Sequence, residues 1–143
     1  MAQCTIRKAV VEDADQIASL LEELGYPSTP AFARQKIAAL SKSPDDAYLV
    51  ADVDGRVVAA AHLHVAELFH RTGCLGRVMA LVVASKHKRS GIGRKLLTAL
   101  EIVARDAGCT KLEVTSGAGR GDAHAFYEAL GYAERPKRFV KTL

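Results

Sequence analysis

The hydrophobic pattern of the first forty residues predicts one short strand and two helices. The strand covers residues 5–8, and the first helix begins near Asp13. Apolar residues then recur every three or four positions, which places their side chains on one face of a helix. This stripe consists of Ile17, Leu20, Leu21 and Leu24. Gly25 and Pro27 end the helix, and a second helix is expected over residues 31–40.

The pattern then changes to that of a sheet. Residues 47–53 and 56–65 are rich in β-forming residues, and Asp54-Gly55 between them is typical of a two-residue hairpin turn. Residues 74–84 are apolar along most of their length. Such a run predicts a central strand that is buried on both faces.

Helices and strands alternate in the rest of the chain. A helix over residues 92–107 ends at Gly108, a strand over 111–115 follows, and a short helix covers 122–130. A last strand is predicted over residues 138–141. The element order β-α-α-β-β-β-α-β-α-β predicts an α/β fold with a mixed sheet and helices on both faces.

One domain accounts for residues 1–143, because no repeat, low-complexity segment or linker divides the chain. Within it, residues 78–115 should form a right-handed strand–helix–strand crossover. Hydrophobic residues make up 49% of the chain and charged residues 25%, values typical of a folded globular protein. No apolar stretch approaches the ~18–20 residues of a membrane span. No secretory signal is recognisable, and three widely spaced cysteines without a C-x-x-C pair favour the reducing cytoplasm.

The positive charge of the chain is concentrated in one short stretch. The formal net charge is +4. Basic residues crowd this stretch, namely Lys86, His87, Lys88, Arg89, Arg94 and Lys95. Aromatic residues are only 6% of the chain and Trp is absent, which disfavours nucleic-acid binding by base stacking. A localised anion site is therefore the better interpretation.

The segment Lys88-Arg89-Ser90-Gly91-Ile92-Gly93 lies between the predicted central strand and an amphipathic helix. A helix N-terminus offers unpaired N–H donors and the positive end of the helix dipole, and both favour an anion. Gly91 and Gly93 allow the backbone to approach a phosphate closely. The spacing fits neither the Walker loop nor the dinucleotide fingerprint G-x-G-x-x-G. By residue type alone, a solvated basic turn remains an alternative.

Two segments resemble signatures of the GNAT superfamily of N-acetyltransferases. Residues 88–93 are similar to its acetyl-CoA motif, (Q/R)-x-x-G-x-(G/A), with Lys88 in the first position. Residues 123–132, Ala-His-Ala-Phe-Tyr-Glu-Ala-Leu-Gly-Tyr, are similar to its later segment A-x-x-(F/L)-Y-x-x-x-G-(F/Y). The predicted element order also resembles that of the family. The resemblance implies a three-layer fold and acetyl-CoA as the cosubstrate.

The resemblance also implies how acetyl-CoA is held. Backbone amides of the loop bind the pyrophosphate, basic side chains add phosphate contacts, and the preceding strand bonds the pantetheine arm. The residues concerned are Leu81, Val82, Val83, Lys88, Arg89, Ser90, Gly91, Ile92, Gly93 and Arg94. An amine then attacks the thioester directly, and a backbone N–H near Val82 polarises its carbonyl.

Tyr127 matches the family tyrosine that protonates the departing thiolate. A phenol with an ordinary pKa near ~10 is protonated at neutral pH and can act as a general acid. By residue type alone, Phe126 and Tyr127 fit equally well as aromatic core residues of a short helix. The motif favours the catalytic role.

The general base does not carry over from the family. Many members have a glutamate on the central strand eleven residues before the first motif position, and Arg77 occupies that place here. A guanidinium cannot accept a proton from an ammonium group. The substitutes available as a base or pocket residue are Glu67, His62, His64 and Glu113, or an ordered water.

His62 and His64 alternate along one strand, so their side chains project from the same face. They could line the acceptor pocket, pass on a proton, serve only the structure, or bind a metal with a third ligand such as His70. An H-x-H pair lacks the other ligands of a metal site, so no metal is expected.

The expected acceptor is a primary amine of a small metabolite. Stretches over residues 62–81, 122–127 and 138–141 resemble the aminoalkylphosphonate N-acetyltransferases, which acetylate small primary amines that carry an anion. Arg77 and Ala80 replace carboxylates of that subgroup, and Arg120 replaces a family asparagine. The two arginines suggest an acceptor with a carboxylate or phosphate.

Two other functions remain open, a protein acetyltransferase and a non-catalytic acyl-CoA-binding module. Neither nucleic acid nor a membrane is an expected partner. The exposed sheet edges that the fold implies make a homodimer plausible.

Overall fold

The structure, a computed structural model, describes residues 3–115, 121–135 and 138–143 of the chain. Its helices and strands are, in order, β1 (Cys4–Lys8), α1 (Ala14–Leu24), α2 (Pro30–Ser41), β2 (Asp46–Val53), β3 (Arg56–Glu67), β4 (Cys74–Val83), α3 (Ile92–Asp106), β5 (Cys109–Val114) and α4 (Gly121–Ala129). Single 3-10 turns at Val11–Asp13 and Ser85–His87 precede α1 and follow β4. Every predicted helix, and every predicted strand except the last, is present within a few residues of its predicted limits.

The described strands form one sheet in the order β1-β2-β3-β4-β5. The pairings from β1 to β4 are antiparallel, whereas β4 and β5 are parallel. Parallel neighbours need a connection that crosses over the sheet, and α3 supplies it. The predicted α/β fold with a mixed sheet is therefore confirmed.

Helices cover both faces of the sheet, because strand side chains alternate between two apolar clusters. On one face, Leu96 and Leu100 of α3 pack against Leu49 of β2. On the other face, Ile17 of α1 packs near Val50, the next residue of the same strand. The result is a three-layer structure. No helix in the described ranges is both long enough and apolar enough to cross a membrane.

Local sequence signals set the limits of several elements. Asp54 and Gly55 have φ values of 51° and 88°, so both occupy the left-handed region that a tight hairpin requires. Gly25, with φ of 105°, ends α1. Helix α2 begins one residue earlier than predicted, because the Thr29 side chain caps it by accepting a hydrogen bond from the Phe32 N–H at 3.1 Å.

The prediction of a last strand over residues 138–141 is wrong. Residues 138–143 form no regular element, and Phe139 and Val140 are 93% and 72% exposed. A strand needs a neighbour that completes its hydrogen bonds and a layer that covers its apolar side chains. This short run has neither within the described part of the chain, so its β-forming composition does not make it a strand.

Strand β4 is an interior strand, as predicted, but it is not buried on both faces. The Met79 side chain is 53% exposed. His62 of β3 lies opposite Ala80, whereas the next residue, Leu63, lies opposite Val78. Met79 is therefore the extra residue of a β-bulge, and the bulge turns its side chain out of the core.

Candidate active site

Strands β4 and β5 pair along only part of β4. Their register ends at Val78 and Val114, where β5 also ends. Strand β4 continues to Val83. Beyond Val78, no strand of the described ranges pairs with this edge of β4. Its backbone polar groups are therefore open to a ligand.

The alternation of hydrogen bonds along β4 determines which residues face this open edge. The Ala84 N–H donates to the Val58 carbonyl at 2.8 Å, and Val82 continues the same register on β3. In an antiparallel pair, hydrogen-bonded residues alternate with residues whose N–H and C=O groups point away. Val82 is therefore bonded to β3, and Leu81 and Val83 present their backbone groups to the open edge. A backbone donor for a ligand at this edge comes from these two residues rather than from Val82 itself.

Helix α3 begins with backbone donors that have no partner within the helix. Gly91 caps it with φ of 85°, and its carbonyl accepts the first intrahelical hydrogen bond, from the Lys95 N–H at 3.1 Å. The N–H groups of Ile92, Gly93 and Arg94 precede that bond. The helix dipole adds positive potential at the same place. This end of α3 is suited to an anion.

The turn before α3 has an unusual backbone. Arg89 has φ of 64°, a value that residues other than glycine rarely adopt. The Ser90 hydroxyl donates to the His87 carbonyl and closes the turn. Left-handed residues in such turns bring successive N–H groups to one side, where they form a concave anion-binding surface.

Two arginines beside this turn carry uncompensated charge. Neither Arg89 nor Arg94 has an ion-pair partner among the residues that the structure describes. Glu23 at the end of α1 is held by the Ser85 hydroxyl at 2.5 Å and the Ser85 N–H at 3.0 Å. These hydrogen bonds, together with attraction to Lys88, lower the pKa of Glu23. Glu23, which sequence reasoning missed, therefore anchors the loop to α1 and compensates a lysine, while the arginines remain available for an anion.

A cleft of about 630 Å³ connects the loop, the open edge of β4 and α4. A volume of this size is typical of small-molecule sites. Of the residues predicted to bind the cofactor, those that line the cleft are Leu81, Val82, Val83, Lys88, Arg89, Gly91, Gly93 and Arg94. The other two, Ser90 and Ile92, border a smaller hollow of about 370 Å³ beside Cys4 and Val53.

Tyr127 of α4 also lines this cleft. Its ring packs edge-on against Phe126 and Tyr132, with ring centroids 5.2 and 5.9 Å apart. The Tyr132 hydroxyl donates to Glu101 at 2.6 Å, and burial and this carboxylate raise the pKa of Tyr132. Tyr132 is thus tied to α3. Tyr127 packs against the core and also borders the cleft, so its position is compatible with either role considered from the sequence.

The two loop glycines differ in backbone conformation and surroundings. A Cβ at Gly91 would meet no atom within 4 Å, so glycine is favoured there by its left-handed φ of 85°. A Cβ at Gly93 would lie 3.4 Å from the Phe126 ring and 3.5 Å from Val83 Cγ2. These are ordinary van der Waals distances, so a Cβ at Gly93 would pack against α4 and the end of β4 without a clash.

The four candidates for a base or pocket residue lie outside the lining of this cleft. Glu67 is exposed at the end of β3. Glu113 accepts a hydrogen bond from Arg77 Nε at 2.6 Å. His62 and His64 share one partner, Asp46 of β2.

Asp46 connects the two histidines. Its Oδ1 atom lies 2.7 Å from His62 Nε2 and 3.0 Å from His64 Nδ1, while its Oδ2 accepts the Ser43 hydroxyl at 2.6 Å. Burial opposes ionisation of this carboxyl, but hydrogen bonds from Ser43 and both histidines lower the pKa of Asp46 overall. Sequence reasoning missed Asp46. The one available signal was its place at the start of a strand that pairs with the histidine strand.

Arg77 is not a free positive charge. Its guanidinium pairs with Glu113, which lies opposite it on β5. The suggested role of Arg77 in binding an anionic acceptor would compete with this ion pair and stays a prediction, and Arg120 lies outside the described residues. Within the described part of the chain, no group of three or more His, Cys, Asp or Glu side chains could hold a metal ion.

Comparisons with known proteins agree with one another. Residues 12–132 match the model of the acetyltransferase (GNAT) family. The chain is 34% identical to an aminoalkylphosphonate N-acetyltransferase of Salmonella typhimurium over an alignment that covers 100% of the chain and 94% of that protein. It is 29% identical to an aminoglycoside N(6')-acetyltransferase of Stenotrophomonas maltophilia, over 91% of the chain and 86% of that protein. An aminoglycoside N-acetyltransferase solved in complex with CoA has a similar fold, with a TM-score of 0.88 at 13% identity over 100% of this chain and 96% of that one.

Proposed function

Because the chain belongs to the GNAT family and is an N-acetyltransferase, we propose that its cleft binds acetyl-CoA and that the acetyl group passes to a primary amine of a small molecule. The observation that carries this proposal is the position of the cleft. It joins an anion-binding helix end, an unpaired strand edge and a tyrosine.

Each part of acetyl-CoA has a chemical counterpart along the cleft. The pyrophosphate suits the free N–H groups of Ile92, Gly93 and Arg94, and the side chains of Arg89 and Arg94 add charge-assisted contacts. The pantetheine arm carries amide groups, which can pair with the open edge of β4 as an added strand would. The thioester then lies beyond the loop, near Leu81 and Tyr127.

The proposed reaction is a direct acyl transfer. An amine nitrogen attacks the thioester carbon, so that a C–N bond forms and the C–S bond breaks. A backbone N–H at the open edge, from Leu81 or Val83, stabilises the charge that develops on the carbonyl oxygen. Tyr127 donates a proton to the departing thiolate.

The acceptor is proposed as a small molecule rather than a protein. The two relatives described above are named for aminoalkylphosphonates and aminoglycosides, which are small molecules with amino groups. An anionic group on the acceptor is left out of the proposal, because Arg77 is already paired with Glu113.

Calorimetric titration with acetyl-CoA tests the cofactor site, with Gly91→Trp as the blocking variant. Gly55→Trp is its matched control, because Gly55 also has a left-handed φ, of 88°, and a Cβ there would likewise meet no atom within 4 Å. Each substitution strains the backbone by about 1–2 kcal/mol, but only Gly91 lines the cleft. We expect saturable binding to the wild type and to Gly55→Trp, and a loss of affinity of at least about a hundredfold in Gly91→Trp.

Absence of binding to the wild-type protein would contradict the proposal. Equal losses in both variants would assign the effect to backbone strain instead of to the site. If binding is found, a panel of small primary amines and a lysine peptide, assayed by release of the CoA thiol, separates a small-molecule acceptor from a protein acceptor.

A further inference from the structure

The two histidines that share Asp46 offer different nitrogens to a substrate. An ionised carboxylate can only accept hydrogen bonds, so the ring nitrogen that faces Asp46 carries the proton in each neutral imidazole. For His64 this nitrogen is Nδ1, which leaves the lone pair on the outer nitrogen, Nε2. For His62 it is Nε2, which leaves the lone pair on Nδ1, beside its own backbone.

Exposure separates the two histidines further. The His64 side chain is 42% exposed, whereas that of His62 is 21% exposed and its ring stacks on Tyr48. A group that exchanges protons with a substrate and then with water needs such access on its free side. His64 therefore has a free and accessible lone pair, and Asp46 fixes its tautomer.

The charged residues directly opposite His64 in the described part of the chain each have a partner of their own. It lies opposite Asp46 on one side and Arg77 on the other. Arg77 is cationic and pairs through its guanidinium with Oε1 of Glu113. Asp46 is held ionised by three hydrogen bonds, so it orients its neighbours and does not itself take the proton.

The distance from His64 to the open edge suits an acceptor amine between them. At a rise of ~3.3 Å per residue, Leu81 lies roughly 10–13 Å along β4 from Arg77, the residue opposite His64. His64 lies one strand further from this edge, which adds a lateral spacing of ~4.8 Å, so an acceptor amine beside the thioester would reach His64 through an intervening water.

We propose that His64 is the general base of the acetyl transfer and that Asp46 is the residue that positions it; this inference rests on the proposed function. The ammonium proton of the acceptor passes through water to His64 Nε2. The neutral nitrogen then forms the C–N bond while the C–S bond breaks. Tyr127 protonates the thiolate, the surplus proton on the new amide nitrogen returns to Tyr127 through water, and His64 releases its proton to solvent.

The test compares steady-state kinetics of the wild type, His64→Gln, His62→Gln and Asp46→Asn, with His70→Gln as the matched control. His70 is an exposed histidine of the segment between β3 and β4. We expect kcat to fall about a hundredfold or more in His64→Gln and about tenfold in Asp46→Asn, with an unchanged KM for acetyl-CoA. The acid-side limb of the kcat profile should disappear in His64→Gln and persist in His70→Gln, whose kcat stays at the wild-type value.

Each other outcome overturns the inference. A His64→Gln variant with kcat within about threefold of the wild type would show that another group is the base. A larger loss in His62→Gln than in His64→Gln would transfer the role to His62. A loss in Asp46→Asn that appears only as a raised acetyl-CoA KM would assign Asp46 to structure. These results all require a wild type that turns over, so they are distinct from failure of the proposed function, which appears as no wild-type turnover.

Discussion

The two ends of the proposed active site are built from different parts of the polypeptide. At the cofactor end, the groups on offer are mainly backbone N–H groups, those at the start of α3 and those of Leu81 and Val83 on the open edge of β4. At the proposed acceptor end, the group on offer is a side chain, His64, held by Asp46 of the neighbouring strand. The first arrangement depends on backbone geometry, and the second depends on which residue occupies each position.

This difference explains why one end resembles the family and the other does not. A backbone donor survives most substitutions as long as the turn keeps its shape, so Lys88 can replace the usual first residue of the motif. A side-chain site changes with one substitution, and Arg77 occupies the place of the glutamate found in many family members. Enzymes of one fold can therefore share a cofactor site and differ in their acceptor chemistry.

The largest effect is expected where the two ends meet, at Tyr127. Tyr127→Phe removes the proposed acid but keeps the ring that packs on Phe126 and Tyr132. We expect kcat to fall about a hundredfold to a thousandfold with unchanged acetyl-CoA affinity, measured by thiol release and calorimetry. The matched control is Tyr132→Phe, which loses a hydrogen bond to Glu101 and should cost about 1 kcal/mol of stability without a comparable loss of kcat. Equal losses of kcat in the two variants would contradict the assignment of Tyr127.

A smaller effect is expected at Arg89, where a side chain and strained backbone coincide. Arg89→Gly removes a charge from the cofactor end but suits the left-handed φ of 64°. We expect the acetyl-CoA Kd to rise about tenfold and to depend less steeply on salt concentration than in the wild type. The thermal unfolding temperature should change little. Arg56→Ala, at an exposed position beside the hairpin, is the control. An unchanged Kd would mean that backbone donors alone hold the phosphates.

The smallest effect concerns the acid stability of the acceptor end. The pKa of Asp46 lies below its ordinary value of 3.8 in the folded protein, so folding favours the ionised form. Its contribution is complete above about pH 5 and is lost as the pH falls through 3.8 and then through the lower folded-state value. We expect Asp46→Asn to be about 1 kcal/mol less stable than the wild type at neutral pH, and this difference to shrink in acid.

Thermal unfolding from neutral pH to pH 3 measures this difference. At the cofactor end the corresponding carboxylate, Glu23, is exposed, so Glu23→Gln should change stability less at every pH. A stability gap for Asp46→Asn that stays constant down to pH 3 would contradict the ionised state of Asp46.

Most of the fold followed from the sequence because local signals marked it. Periodic apolar residues, glycines at helix ends and Asp54-Gly55 at the hairpin each act over a few residues. The last strand over 138–141 was predicted wrongly, because a strand also needs a pairing partner, which composition does not report. The exposure of Met79 arises from a bulge in β4, which changes the sheet without a distinct local pattern.

The same distinction applies to the site. The glycine-bearing loop was recognisable in the sequence, whereas the contact of Asp46 with the two histidines was not. A second bulge, in the pairing of β2 with β3, explains why. If the pairing continued without a bulge from the hairpin, where Val53 lies opposite Arg56, Asp46 would lie opposite Leu63 on the core face. The register shift between Ala51 and Asp52 moves Asp46 opposite His64 instead. The homodimer, the cytoplasmic location and the small-metabolite acceptor stay predictions.

The most direct test of the account is a crystal structure of the protein with a non-reactive acetyl-CoA analogue. The proposed function predicts pyrophosphate oxygens within hydrogen-bonding distance of the backbone N–H groups of residues 92–94. It also predicts pantetheine amides paired with Leu81 and Val83, with the acetyl carbonyl within reach of one of their N–H groups. A cofactor that lies away from the open edge of β4, or phosphates bound only by side chains, would contradict it.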